Sequence, residues 1–204
     1  MYNELAKKEV VDETIKNLAA NNVEGIFVAT KEEALAKIKE LIPAHASLMN
    51  GASVTLEQIG FVDVLQKKEH TWNNLHDGVL AEQDPAKKLA LRKQAVTSDY
   101  YLGSVHALAQ TGQFIIASNT GSQLGHIVFT SPNLIFVVGA QKIVPNLDEA
   151  FKRLHEYVIP LEEVHMQQKY GVGTFPSKVV VFNRENPIMK RSVKMIIVNE
   201  ALGF

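Results

Sequence analysis

The chain has 204 residues, enough for one sizeable core, and its 46% apolar and 21% charged residues are those of an ordinary globular protein. A formal net charge of −1, with basic residues dispersed among acidic ones, argues against nucleic acid or an anionic membrane as partner. The lack of cysteine excludes disulfides, thiolate nucleophiles, cysteine-ligated iron–sulfur clusters and cysteine-type zinc sites, and is compatible with a cytoplasmic location.

Residues 1–22 are charged, with Val11, Ile15 and Leu18 at helical spacing and Asn21-Asn22 as a stop. They lack the apolar core of a signal peptide and read as an N-terminal helical arm. VEGIFVAT (23–30) is a short buried strand. Lys31 to Ile42 returns to helical period, and Pro43 ends it. ASLMN (46–50) is a strand, and NGASVTLEQIG (50–60) turns into a helix. Residues 66–84 are polar with a few large apolar anchors such as Trp72 and Leu75, as in a loop or short helices forming a lid or a partner surface. Pro85 to Thr97 is helical, with Pro at the first position. YYLGS, FIIAS (114–118) and LIFVVG (134–139) are strands, the last two separated by a polar segment with two glycines. Residues 147–168 form a helix that Pro160 should kink or divide, and KVVVF (178–182) and VKMIIV (193–198) suit neighbouring strands. No window approaches the ~18–20 apolar residues of a membrane span. The βαβ rhythm predicts an α/β fold: a central, mainly parallel sheet with helices on both faces, in one domain over 1–204.

Four segments can carry chemistry. In NGASVTL, Gly51, Ser53 and Thr55 lie where a strand turns into a helix, a place that attracts anions, although the T-x-x-Q spacing of Thr55 and Gln58 also suits a plain helix cap. In SDYYLGSVHALAQTG, Asp99 and His106 are candidate general acid/base groups, Gly103-Ser104 open a short helix, and a hydrogen-bonded structural role is the alternative for His106. In SNTGSQLGH, Asn119, Thr120, Gly121, Gln123 and His126 offer polar groups and close backbone approach at what should be the carboxyl end of a strand. Lys142 follows the strand ending at Gly139 and can pair with an anion, or stand exposed on a turn. The seven histidines show no metal-ligand spacing, and neither a Walker loop nor a G-x-S-x-G elbow is present.

The order HALAQTGQFIIAS, then a polar glycine loop, then PNLIFVVGAQKIVPNLDEAFKRL resembles the LUD domain, the lactate-utilisation family that includes LutC- and YkgG-type proteins. NGASVTLEQIG resembles that family's upstream loop, and the likeness spans nearly the whole chain. The resemblance implies a fold similar to the NagB/RpiA/CoA-transferase class, whose members bind sugar phosphates, acyl-CoA or folates at the carboxyl edge of the sheet. In them the loop matching Gly51 to Thr55 holds phosphate or an equivalent anion. Some LUD proteins serve an iron–sulfur system that oxidises L-lactate to pyruvate, and a chain without cysteine would be a partner there. Two features depart from the family pattern. Gln110 stands where many members carry Glu in A-E-T-G, and cannot act as a carboxylate base. Residues 118–129 also differ from the lactate-operon members.

Combined, these readings predict a cleft for a small anionic metabolite. Residues 118–126 form one wall and 50–56 the other. Asn119, Gln123 and His126 orient the ligand, His106 or Asp99 moves protons with His126 as a further candidate base, and Lys142 balances negative charge. No cofactor is implied beyond a phosphate- or CoA-type ligand. Three functions fit: a LUD protein serving lactate or another small carboxylate, a stand-alone enzyme on a sugar phosphate or acyl-CoA, or a non-catalytic partner of an iron–sulfur oxidoreductase. Apolar residues in the N-terminal helix and in 66–84 also allow a homo-oligomer.

Overall fold

The computed structural model describes residues 2–204. Along the chain run α1 (Lys8–Ala20), β1 (Glu24–Val28), α2 (Lys31–Leu41), β2 (Ser47–Asn50), α3 (Val54–Gln58), α4 (Phe61–Gln66), β3 (Asn73–Asn74), α5 (Leu75–Ala81) and α6 (Pro85–Gln94). There follow β4 (Tyr100–Gly103), β5 (Ala107–Ala109), β6 (Phe114–Ser118), β7 (Asn133–Gly139), β8 (Ile143–Val144), α7 (Leu147–Arg153), α8 (Ile159–Tyr170), β9 (Lys178–Phe182) and β10 (Ser192–Val198).

The central sheet has the order β1-β10-β7-β4-β2-β3, and every pairing in it is parallel. Its middle strands are continuous apolar runs because both faces are covered. Successive side chains of a strand point to opposite faces. So Ile135 and Val137 of β7, with Ile196 and Val198 of β10, meet Ala34 and Ile38 of α2 together with Leu56 and Phe61. Leu134, Phe136 and Val138, with Val193, Met195 and Ile197, meet Val11 and Leu18 of α1 on the other face.

A second sheet, β8-β5-β6-β9, shares that face with α1. Its β5–β6 and β6–β9 pairings are antiparallel. Phe114 and Phe182 stack with centroids 4.5 Å apart, and Phe114 also packs against Phe136 of the central sheet at 5.4 Å. Its outer side, Ala107, Ile115, Ala117 and Val144, is covered by Ala150, Leu154 and Val158 of the long helix. This sheet revises two expectations. KVVVF and VKMIIV are not neighbours: β9 pairs with β6, while β10 lies between β7 and β1. FIIAS is not a strand of the parallel sheet, so the polar segment after it leaves a different layer.

The helix from 147 to 170 is continuous and is neither divided nor broken at Pro160. A π-helical stretch over 154–158 precedes α8, and Pro160 lies in the first turn of α8. Proline lacks an N–H and its ring crowds the carbonyl four residues back; the wider π turn relieves both. Likewise 126–130 forms a π-helical turn rather than loop. Gly103-Ser104 open no helix, since β4 passes through three residues into β5. Trp72 is buried against Phe61 and donates from Nε1 to the Ile42 carbonyl at 3.1 Å, so 66–84 does not display it to a partner. No helix among the described residues is long and apolar enough to cross a membrane.

Candidate functional site

A cavity of about 420 Å³ opens at the carboxyl edge of the central sheet. Open parallel sheets place ligands there because the strand-end loops converge. Its floor is the turn after β2 (Asn50 to Thr55), Gly103 to His106 after β4, and Lys142 after β7. Ala117 to Asn119 and Gln123 close one side, and Leu154, Val158 and Met166 of the long helix close the other.

Lys142 is a buried cation in the cavity wall. It sits on a short 3-10 turn (Ala140–Lys142) that follows β7, and only 4% of it is exposed. Its Nζ donates to Thr55 Oγ1 at 3.1 Å, Ser104 Oγ at 3.2 Å and the Val105 carbonyl at 3.3 Å. All three partners are neutral, and no carboxylate forms an ion pair with it among the described residues. Burial, reinforced by the Arg153 guanidinium, pushes the Lys142 amine down to about 7.

Arg153 is a second buried cation behind this wall. It donates to the His106 carbonyl and stands over the rings of Tyr157 and Tyr2 at 5.2 and 5.9 Å. Its Nε and Nη2 are buried without hydrogen-bond partners among the described residues. Among the described residues lining the cavity, the acidic ones are Glu57, which pairs with Lys169 at 2.9 Å, and Glu162, which pairs with His165 at 3.3 Å. The wall at Lys142 and Arg153 is therefore cationic in a chain whose net charge is −1.

His106 lines the cavity half-buried. The Ala117 N–H donates to its Nδ1 at 3.1 Å, so the neutral ring carries its proton on Nε2, which has no hydrogen-bond partner among the described residues. Burial first, then Lys142 and Arg153, hold its pKa at about 3. The neutral imidazole thus offers a hydrogen-bond donor and is a poor base. His126 stacks on Tyr101 at 4.7 Å and places Nδ1 3.0 Å from Ser131 Oγ and 3.3 Å from Ser98 Oγ. Burial lowers its pKa to about 4.

The two predicted walls do face each other. Tyr101 donates to Gln123 Oε1 at 3.1 Å, and Gln123 Nε2 donates to the Ala117 carbonyl at 3.3 Å. Gly51 lies against that pair: a Cβ there would fall 2.4 Å from Tyr101 Oη and 2.7 Å from Gln123 Oε1. Its glycine serves this close approach, since its φ is not positive. Ser53 is the N-cap of α3 and accepts from the Leu56 N–H at 3.3 Å, replacing the expected T-x-x-Q box. Thr55 points instead at Lys142, and Gln58 accepts from the Gly203 N–H at 2.6 Å. With only five residues, α3 contributes little dipole, so the positive potential comes from Lys142 and Arg153.

Gly51, Ser53, Thr55, His106, Asn119, Gln123, His126 and Lys142 are thus gathered around one cavity. Three predicted residues are not. Asp99 precedes β4 and lies at the amino edge of the sheet, where its carboxylate accepts from Ser47 N–H at 3.0 Å and Ser47 Oγ at 2.6 Å. Those bonds hold its pKa below the usual carboxylate range. Thr120 Oγ1 bonds to Ser122 Oγ at 3.1 Å, and Gly121, at φ +82°, takes a left-handed turn against the Lys178 side chain. Gln110 is also remote: it lies in the β5–β6 hairpin turn, where its carbonyl accepts from Asn17 Nδ2 at 2.7 Å. The missing family acid therefore does not alter the cavity. Sequence reasoning missed Tyr101, the segment 174–176 at the mouth and, behind the wall, Arg153, and it read Ser104 only as the opening of a helix. The Gly-x-Gly and Phe-Pro of residues 171–176 marked that loop without saying where it folds back.

A sequence profile described as the LUD domain matches residues 11–183. The crystal structure of a DUF162 family protein from Deinococcus radiodurans is similar in fold, with a TM-score of 0.53 and 12% identity over 96% of this chain and 100% of that one. No curated protein sequence matches the chain.

Proposed function

The chain belongs to the LUD domain family, and we propose that it binds a small organic anion in this cavity and serves the metabolism of a carboxylate such as lactate. The observation that carries this reading is Lys142: a buried amine with only neutral partners, backed by a second buried cation, in a cavity whose lining carboxylates, Glu57 and Glu162, pair with other residues. Buried charge is unfavourable unless paired, and an anionic ligand supplies the pair. Around it, Ser104 Oγ, the His106 Nε2–H and the Asn119 amide provide neutral groups that orient a carboxylate or phosphate without competing for charge.

The volume of about 420 Å³ favours a second reading, a phosphorylated or acyl-thioester metabolite larger than a three-carbon acid. The apolar wall of Leu154, Val158 and Met166 suits the less polar part of such a ligand. A role as partner of an iron–sulfur protein is compatible with either ligand.

The test is thermal unfolding with lactate, pyruvate, phosphate, a sugar phosphate and a CoA thioester. A ligand binding only the native state at ~100 times its Kd stabilises by about 2.7 kcal/mol. At least one anion is expected to raise the melting temperature, and Lys142→Met is expected to abolish that rise while remaining folded. Equal shifts in the variant would remove Lys142 from the site.

A further inference from the structure

We propose that Lys142 is a nucleophile as well as an anchor, and that it forms an imine with the carbonyl of a 2-oxo acid held in the cavity. This deepens the anion-binding reading and rests on it. Three features of the geometry point this way. The amine ends in the cavity wall, with Thr55 Oγ1 at 3.1 Å and Ser104 Oγ at 3.2 Å, hydroxyls that can each donate to or accept from it. It therefore stays hydrogen-bonded whether charged or neutral. No carboxylate is paired with it to keep it an ammonium, and the Arg153 guanidinium favours the neutral amine, the form with a free electron pair. Finally, His106 presents a neutral Nε2–H donor to the same cavity, suited to holding the carbonyl or carboxylate oxygen of the acid.

The chemistry balances without an added oxidant or cofactor. The Nζ electron pair attacks the carbonyl carbon as the C=O π pair moves onto oxygen. The two hydrogens of the neutral amine are then transferred to that oxygen, by way of the Thr55 and Ser104 hydroxyls. Oxygen leaves as one water and the N=C bond forms. Protonation of the imine from solvent restores the positive charge on nitrogen, directly beside the carboxylate of the acid. The cavity thus keeps its charge pairing after the covalent step, which a carbonyl compound without an acid group would not provide. The apolar wall of Leu154, Val158 and Met166 accommodates a 2-oxo acid with a branched side chain as well as pyruvate.

The test uses the full chain with pyruvate or 4-methyl-2-oxopentanoate and sodium cyanoborohydride at neutral pH. The hydride reduces an imine to a stable secondary amine, adding the mass of the acid less one oxygen atom. Peptide mapping should find that adduct on Lys142, at least ~10-fold above any other lysine, because exposed lysines are almost wholly protonated at this pH. Lys142→Arg cannot form the adduct, so the label at this position should be lost. Label spread evenly over surface lysines overturns the imine. So does a thermal shift by either acid with no label on Lys142, and that result leaves the anion site standing. If no anion, phosphate included, shifts the wild-type protein and no label reaches Lys142, both readings fall.

Discussion

At the scale of single residues, the cavity is defined by side chains whose surroundings are unfavourable for stability alone. A buried lysine without a carboxylate lowers stability, and such sites are kept where their altered proton affinity has a use. Gly51 is the complementary case, a position where the absence of a side chain lets two walls meet. Gly51→Ala would place its Cβ 2.4 Å from Tyr101 Oη and 2.7 Å from Gln123 Oε1, which are themselves joined by a 3.1 Å hydrogen bond. Something must shift, and overpacking of this kind typically costs ~1–3 kcal/mol. The expected result is a lower midpoint in urea denaturation and weaker anion binding. Adding Tyr101→Phe removes the hydroxyl that clashes, so the double variant should recover part of the loss. Strict additivity of the two changes would show that the contact is not the cause.

At the scale of elements, the long helix from 147 onward ties the second sheet to the cavity, because it carries Arg153, Leu154 and Val158. Its start is held by Asn146, whose Oδ1 accepts from the Glu149 N–H at 3.0 Å, with Asp148 and Glu149 in the first turn. Asn146→Ala should cost ~1 kcal/mol, lowering the melting temperature by a few degrees without removing the anion response. An unchanged melting temperature would mean that packing alone sets the helix start. The apolar periodicity of α1, α2 and this helix was legible in the sequence, as was the parallel sheet, since both signals are local. The second sheet was not: β5, β6 and β9 are three to five residues long, and short apolar runs do not say which strand they pair with. The turn after β2 lies at the carboxyl edge because it follows a strand of the parallel sheet. The same argument applied to Asp99, which precedes β4, would have put it at the amino edge. Lys142 was legible as a residue near the site but not as a buried one, because its depth depends on Thr55, Ser104 and Val105, far away in sequence.

At the scale of the whole molecule, the buried lysine, arginine and histidines all lose proton affinity, while burial raises the Tyr101 phenol above its ordinary range. Lys142 falls to about 7 and Arg153 to about 10, while His106 and His126 fall to about 3 and 4. Each returns to its ordinary value on unfolding, so the unfolded chain binds more protons than the folded one, and stability rises with pH. For the histidines, the stabilisation is complete above about 6.5 and is lost as pH falls toward 4 and then 3. For Lys142, it is complete only above about 10.5 and declines as pH falls to about 7, below which both states are charged and the contribution is constant. Below pH 10, where the Arg153 contribution has not begun, the ligand-free protein should therefore gain stability in two steps, one between about pH 3 and 6.5 and one above pH 7, each of a few kcal/mol at ~1.4 kcal/mol per pKa unit. Lys142→Met removes the upper step alone and should be more stable than the parent at neutral pH by ~1–3 kcal/mol, since a buried charge gives way to an apolar chain of similar length. A bound anion favours the ammonium and raises the Lys142 pKa, so saturating phosphate should move the upper step to higher pH. Urea midpoints taken across pH 4–10 for parent and variant measure this. An upper step that persists in Lys142→Met would assign it to another group, and Lys142 would then be an ordinary charged lysine in the folded protein.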